Sequence, residues 1–370
     1  MPLELPETHP VPVTWIRENA CAPIRWRTVR DILPPGSATP SDITSLQQEV
    51  LEYKPVKQTT KRQWANGSWS GNVLGIAPSK SQGIKDVGAV AQYRRLLEMG
   101  VPTDARPFKL ADRLFFRILS RDEDPALLFE FKKTAAHNPE AGNWYRDLMR
   151  QGVTAALAQA GYGEDPRVRG SAHRILSGVS HFLRSDLAEK PLVRKGSRNV
   201  LEDGAYPPTT FTVATLAFIP RLQRERAGLV ERLTAFLSQA APKKAYVIQI
   251  GRKTIKPTFH VLGDPILTDA AGRPKDLPLA LHWMELLARF GAFASSTSAQ
   301  RVFERLLKDC DDSGVWDPGN LRTLPKSQSG VADFACPLEE NARQLGARKA
   351  DVSFRLALIA RLLGLKLEYC

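Results

Sequence analysis

Cysteine is scarce in this chain. Its four residues, Cys21, Cys310, Cys336 and Cys370, lie far apart without a CxxC pair, which excludes a disulfide framework and a thiolate zinc finger. A reducing cytoplasm is therefore the expected compartment. No run of about 18 uncharged apolar residues occurs, so no transmembrane segment is expected. The opening MPLELPETHPVPVTW lacks the basic start and apolar stretch of a signal peptide. P-loop, GxGxxG and GxSxG sequences are missing too, which sets aside nucleotide hydrolysis, Rossmann cofactor binding and serine-esterase chemistry. The six histidines form no HxxxH or HExxH pair, and aromatic residues, at 8%, are not in excess.

What is there is the composition of an ordinary globular protein, 43% hydrophobic and 25% charged, long enough to bury a large core. Lysine and arginine outnumber aspartate and glutamate by 52 to 39, a net charge of +13 that suits polyanions, anionic lipid surfaces and diphosphates alike. The basic residues are spread out, as solvated helix faces require, with no run dense enough to read as a tail.

Apolar residues recur at helical spacing through most of the chain, as in Leu229, Leu233, Phe236 and Leu237. Breaks rich in Pro, Gly and Ser at 33–41, 66–82, 202–209, 263–275 and 313–330 separate helical blocks without dividing the composition. The expectation is an all-α fold in one domain spanning 1–370, with 1–42 as an N-terminal helical segment packed on it. The exception is Tyr246-Val-Ile-Gln-Ile250, which with Gly251-Arg252 and a second extended run to Val261 reads as an inserted β-hairpin.

An internal repeat organises the helices. LLEMGVPTDARPFKLADRL around Gly100 superposes on LAQAGYGEDPRVRGSAHRI around Gly161, pairing Leu96 with Leu157 and Asp104 with Asp165. Looser copies carry glycines at 291 and 364. Each copy reads as a helix closed by glycine and a turn, followed in the first three by a second helix; such a pair buries its faces only by stacking on others. Two further segments share a spacing: Gln63-Trp64-Ala65-Asn66-Gly67-Ser68-Trp69 has the form QxxxGxW, and Cys310 to Trp316 repeats it with Cys in place of Gln. The expected device is a clamp: a side chain bonding the turn, a glycine allowing it and a packed tryptophan.

QWANGSW resembles the QW motif of the terpenoid cyclases. The glycine-closed helix pairs resemble the α/α toroid shared by squalene cyclases, class II diterpene cyclases and protein prenyltransferase β subunits, and WIRENACAPIRWRTVRDIL is similar to the start of many bacterial proteins of that superfamily. The resemblance implies about five or six helix pairs around a central cavity, and an apolar, isoprenoid-like ligand within it. Asp309-Cys310-Asp311-Asp312 matches the DxDD acid motif of class II cyclases, with Asp311 as the proton donor and Asp309 and Asp312 raising its pKa. Here, however, it runs straight into Gly314-Val315-Trp316 instead of an inner helix. Asp333 and Cys336 occupy a place similar to the zinc-binding Asp-x-Cys of the prenyltransferases, with one extra residue between them, while Asp351-Val352-Ser353-Phe354 has Phe where the family's histidine ligand stands. Trp144, Tyr145, Phe211, Phe218, His282, Trp283, Phe334 and Phe354 are the aromatic residues placed to line a cation-guiding cavity or to pack a core. The alternative function is a non-catalytic helical-repeat scaffold that binds protein or nucleic acid through a basic surface. The sequence names no cofactor or substrate.

Overall fold

Glycine closes the helices where the repeat marks them. Gly100, Gly161, Gly291 and Gly364 all have φ between +75° and +95°, the left-handed region in which a side chain is strained. The backbone bonds are those of a Schellman close: Val101 N–H donates to Leu96 O at 3.1 Å, Ala292 N–H to Leu287 O at 2.9 Å and Leu365 N–H to Ala360 O at 3.0 Å. Two of the three second helices begin on capping side chains, while Arg106–Ser120 starts after Ala105 with Pro107 in its first turn. Asp165 accepts from Arg167 N–H ahead of Pro166, and Ser296 accepts from Ala299 N–H.

The computed structural model describes residues 6–78, 83–121, 123–319, 321–327 and 329–370. The sequence breaks at 66–82 and 313–330 extend over positions 79–82, 320 and 328, which lie outside the described residues. The chain is mostly helical, with fifteen α-helices and six short strands among those residues. The two helices of a repeat differ in kind. Leu277–Arg289 is buried continuously from Ala280 to Ala288, and Leu345–Leu362 from Ala350 to Ala360. Arg106–Ser120 and Thr297–Leu307 bury one face only. All-round burial marks helices enclosed by others, and one-sided burial marks helices that cover them.

The residues fall into two compact units: 1–61, 94–103 and 266–370 form the first, and 62–93 with 104–265 form the second. In the first, Leu277–Arg289 packs on Leu345–Leu362. The last glycine-closed helix there leads not to another helix but to strand Lys366–Tyr369, which pairs parallel with Thr8–Val11. In the second unit, Pro139–Gln159 packs against Arg106–Ser120, Pro166–Leu183 and Thr210–Phe218.

The hairpin expected over 246–261 exists, but as Tyr246–Ile250 and Lys253–Ile255, and it belongs to a four-stranded sheet. Leu192–Lys195 and Arg198–Leu201 form a second hairpin whose inner strand runs parallel to Tyr246–Ile250. The extended run does not continue as a strand to Val261. Instead Thr210 N–H donates to Phe259 O and Val261 N–H to Pro208 O, fixing His260 opposite Thr209.

The two QW-type turns are built alike. Gln63 bridges Trp69 and Cys310 bridges Trp316, both antiparallel. Trp64 N–H donates to Ser68 O and Asp311 N–H to Val315 O, while Gly67 N–H donates to Trp64 O and Gly314 N–H to Asp311 O. Trp69 and Trp316 are both buried. Gln63 clamps the first turn through Nε2, which donates to Pro107 O at 2.8 Å and Gly67 O at 3.3 Å. Both glycines need their lack of Cβ, since φ is near +87° at each and an added carbon would stand 2.3 Å from Leu110 O or 2.0 Å from Pro10 O.

Candidate functional site

Of the DxDD aspartates, Asp311 bonds within its own turn. Asp311 Oδ1 accepts from Ser313 N–H, Ser313 Oγ–H and Val315 N–H at 2.7–3.0 Å. Asp309 pairs with Arg305 at 2.8 Å, and Asp312 is exposed. Asp333 is exposed whereas Cys336 is buried, and burial raises its thiol pKa well above the usual value. Asp351 is buried and accepts from the N–H groups of Leu338 and Glu339, and Phe354 beside it is also buried. Among the described residues no group of three or more His, Cys, Asp or Glu is placed to hold a metal ion. No helix there is long and apolar enough to cross a membrane.

The inner helices of the first unit carry charges in a dry environment. Arg355, 1% exposed, donates through Nη1 to Glu285 Oε2 and through Nη2 to Glu98 Oε2 and Ala335 O, all at 2.6 Å. Arg27 also bonds Glu98, at 2.5 Å, and Arg289 bonds Glu285 at 2.8 Å. Burial alone would raise the Glu98 pKa, but the Arg355 and Arg27 guanidiniums hold it well below the usual carboxylate range. His282 is lowered to about 3 by burial and then by Arg94, so it stays neutral. The aromatic faces here are occupied by the chain's own cations: Arg94 lies 4.0 Å from the Phe334 centroid and Arg27 5.0 Å from that of Phe354. This buried network ties four helices together, Ala22–Arg27, Ala89–Glu98, Leu277–Arg289 and Leu345–Leu362, and leaves its paired charges committed.

The second unit holds a pocket of about 200 Å³ between helix Pro139–Gln159, strand Tyr246–Ile250 and the segment 201–206. Trp144, Asp147 and Gln151 reach it from one helix face, at spacings of three and four residues. Asp147 is held by two donors on a single oxygen: Tyr206 Oη–H at 2.5 Å and Gln151 Nε2 at 2.8 Å both bond Oδ2. Thr209 Oγ–H in turn donates to Gln151 Oε1 at 2.6 Å, which fixes the amide. Oδ1 meets only the Arg150 guanidinium, at 3.9 Å. Burial, then the Asp147 charge, raises the Tyr206 pKa far above the usual phenol value, so it remains a donor. His260 stacks on Trp144 with ring centroids 5.8 Å apart and planes 11° off parallel. Its pKa is lowered to about 4 by burial, and its Nδ1 is buried without a hydrogen-bond partner.

Family models, curated proteins and solved structures give no significant match.

The site must therefore be read from its own chemistry. A fixed carboxylate, a stacked aromatic pair and the walls of Leu148, Leu201, Ile248 and Ile250 suit capture of a small molecule. Sequence reasoning reached only Trp144 of these residues. Asp147 and Gln151, at three and seven residues from Trp144 on the same helix, carried the one local signal, and Tyr206 and His260 had none.

Proposed function

We propose that the chain is a helix-pair protein of the terpenoid cyclase and prenyltransferase toroid type that binds a small organic molecule in the pocket of its second unit. The two like-built QW turns and the alternation of enclosed and one-sided helices support the toroid reading. The observation that carries the function is the convergence of Asp147, Tyr206, Gln151, Trp144 and His260 on one concavity, with the carboxylate already oriented. At about 200 Å³ it is smaller than the 300–1,000 Å³ typical of pockets for drug-sized ligands, which suits a metabolite of about one ring and excludes a long isoprenoid chain. A thermal-shift screen of a metabolite library tests this: hits should raise the melting temperature of the wild type and lose that effect in Trp144→Leu. A screen whose hits act equally on both proteins would refute it.

A second reading rests on a groove of about 390 Å³ in the first unit, whose floor is Val13, Ile16, Val29, Leu33 and Leu46. Arg25 there pairs with Glu49 at 2.6 Å and Asp42 accepts from Thr39, and the apolar lining makes this the place for an apolar or isoprenoid ligand. Organic extraction of the purified protein should release an apolar molecule, and Leu46→Asp should abolish its retention; equal retention would sink this second reading.

A further inference from the structure

The sign of the pocket's charge runs against that of the chain. Three carboxylates, Asp147, Glu202 and Asp203, line it and no lysine or arginine does, although basic residues outnumber acidic ones by 52 to 39 overall. Two of these carboxylates have long ion pairs with cations outside the lining, Asp147 with Arg150 at 3.9 Å and Asp203 with Lys195 at 3.6 Å at the exposed rim. The Glu202 carboxylate accepts the N–H of Asp203 at 3.3 Å. Beside these acceptors sits the Trp144 ring, stacked on an imidazole whose buried Nδ1 still has no donor.

We infer that the pocket is a site for a small planar organic cation, an amidinium, guanidinium or aryl-ammonium group carried on one ring. This rests on the reading of the pocket as a ligand site. Asp147 Oδ1, whose one ion-pair contact is the long one to Arg150 at 3.9 Å, accepts a charge-assisted hydrogen bond from the cation, and Glu202 supplies a second acceptor. The Trp144 indole adds attraction between its face and the charge. Because Tyr206 and Gln151 already hold Oδ2, Asp147 needs no reorientation on binding. His260 stays neutral and therefore does not compete as an internal cation. An anion of the same shape would face three carboxylates in a partly enclosed space, where repulsion is weakly screened.

Calorimetric titration of the full chain with benzamidinium, benzamide and benzoate, which share a ring and differ in charge, tests the inference. Benzamidinium should bind at least about tenfold more tightly than benzamide, and benzoate not measurably. Asp147→Asn keeps an oxygen for Tyr206 and should weaken benzamidinium by about tenfold while leaving benzamide unchanged. Circular dichroism establishes that each variant is folded. Benzamide or benzoate binding as tightly as benzamidinium, with affinity lost in Trp144→Leu, would overturn the cation assignment and leave the pocket standing. Binding that neither variant alters, or no binding by any of the three, would overturn the cation site and the pocket reading together.

Discussion

Arg355→Met removes one guanidinium from the buried network and nearly conserves volume, so its effect isolates the charge. Three short bonds at 2.6 Å are lost, to Glu98, Glu285 and the Ala335 carbonyl. Glu98 keeps Arg27 and Glu285 keeps Arg289, but the buried group loses one positive charge and both glutamates lose a partner. Breaking a buried pair from one side costs about 3–5 kcal/mol. For a cooperative unit of 150–250 residues each kcal/mol moves the melting temperature by about 2–4 °C, so a drop of about 10 °C is expected. The double variant Glu98→Met/Arg355→Met tests the reasoning more sharply. It leaves Arg27 with Asp31 at 2.8 Å and Arg289 with Glu285, and it keeps the net charge of the group. It should therefore be more stable than Arg355→Met alone by about 2 kcal/mol in urea unfolding at pH 7, and the gap should persist in 0.5 M salt because buried charges are little screened. A single-variant cost under about 1 kcal/mol, or a double variant less stable than the single, would refute the account of this network.

Further expectations concern the turns and the titrating groups. Gly67→Ala and Gly314→Ala force a Cβ into Leu110 O or Pro10 O, so each should cost more than about 2 kcal/mol, whereas Gly272→Ala, at φ +76° with nothing within 4 Å, should cost only about 1 kcal/mol. Equal losses at the three sites in thermal unfolding would contradict the close approach. His282 is neutral when folded and takes a proton near pH 6.5 when unfolded, so stability should fall as pH drops below about 6.5, by up to about 1.4 kcal/mol per pH unit from this group. His282→Phe should flatten that part of the curve, and an unchanged slope would dismiss the assignment. Glu339 has the opposite sign: burial, followed by the Asp351 charge, raises it to about 7, so its contribution is present below about pH 4.5 and lost as pH rises through 7. Glu339→Gln should accordingly gain stability relative to wild type above pH 7. Asp311→Ala should cost about 1 kcal/mol for the lost turn bonds while Asp311→Asn, which keeps the acceptor, should be nearly silent in urea unfolding. A large loss with Asn would point to a role for the charge itself.

Much of the local architecture could be read before the structure. The four glycines, the paired helices and the two like-built turns were legible because each is set within a few residues, where backbone conformation selects the side chain. The hairpin Leu192–Lys195 with Arg198–Leu201 escaped, although Gly196-Ser197 between two short runs is a two-residue turn signal; its strands are too polar to alternate visibly. The parallel pairing of Asn199 with Tyr246 has no local signature, since it joins residues far apart in the chain. The same limit governs the sites. Arg94 with Glu98, and Asp351 with Arg355, show as charges four apart inside apolar helices, yet nothing local says that Arg355 meets Glu98 and Glu285 at once. Asp147 and Gln151 share a helix face, but Tyr206 and His260 are brought to them by the sheet and by the 208–210 and 259–261 pairing. The DxDD spacing, conversely, is legible as a motif and as a turn, and the hydrogen bonds to Asp311 are those of the turn.

The most direct test of the central claim, that the second unit's pocket is a ligand site, is native mass spectrometry of the protein and of Trp144→Leu, both purified from the same host under mild conditions. A small molecule should be bound one to one to the wild type, removed by organic extraction and missing from the variant. A wild type that carries nothing in that mass range, or a variant that retains the same molecule at the same occupancy, would contradict it.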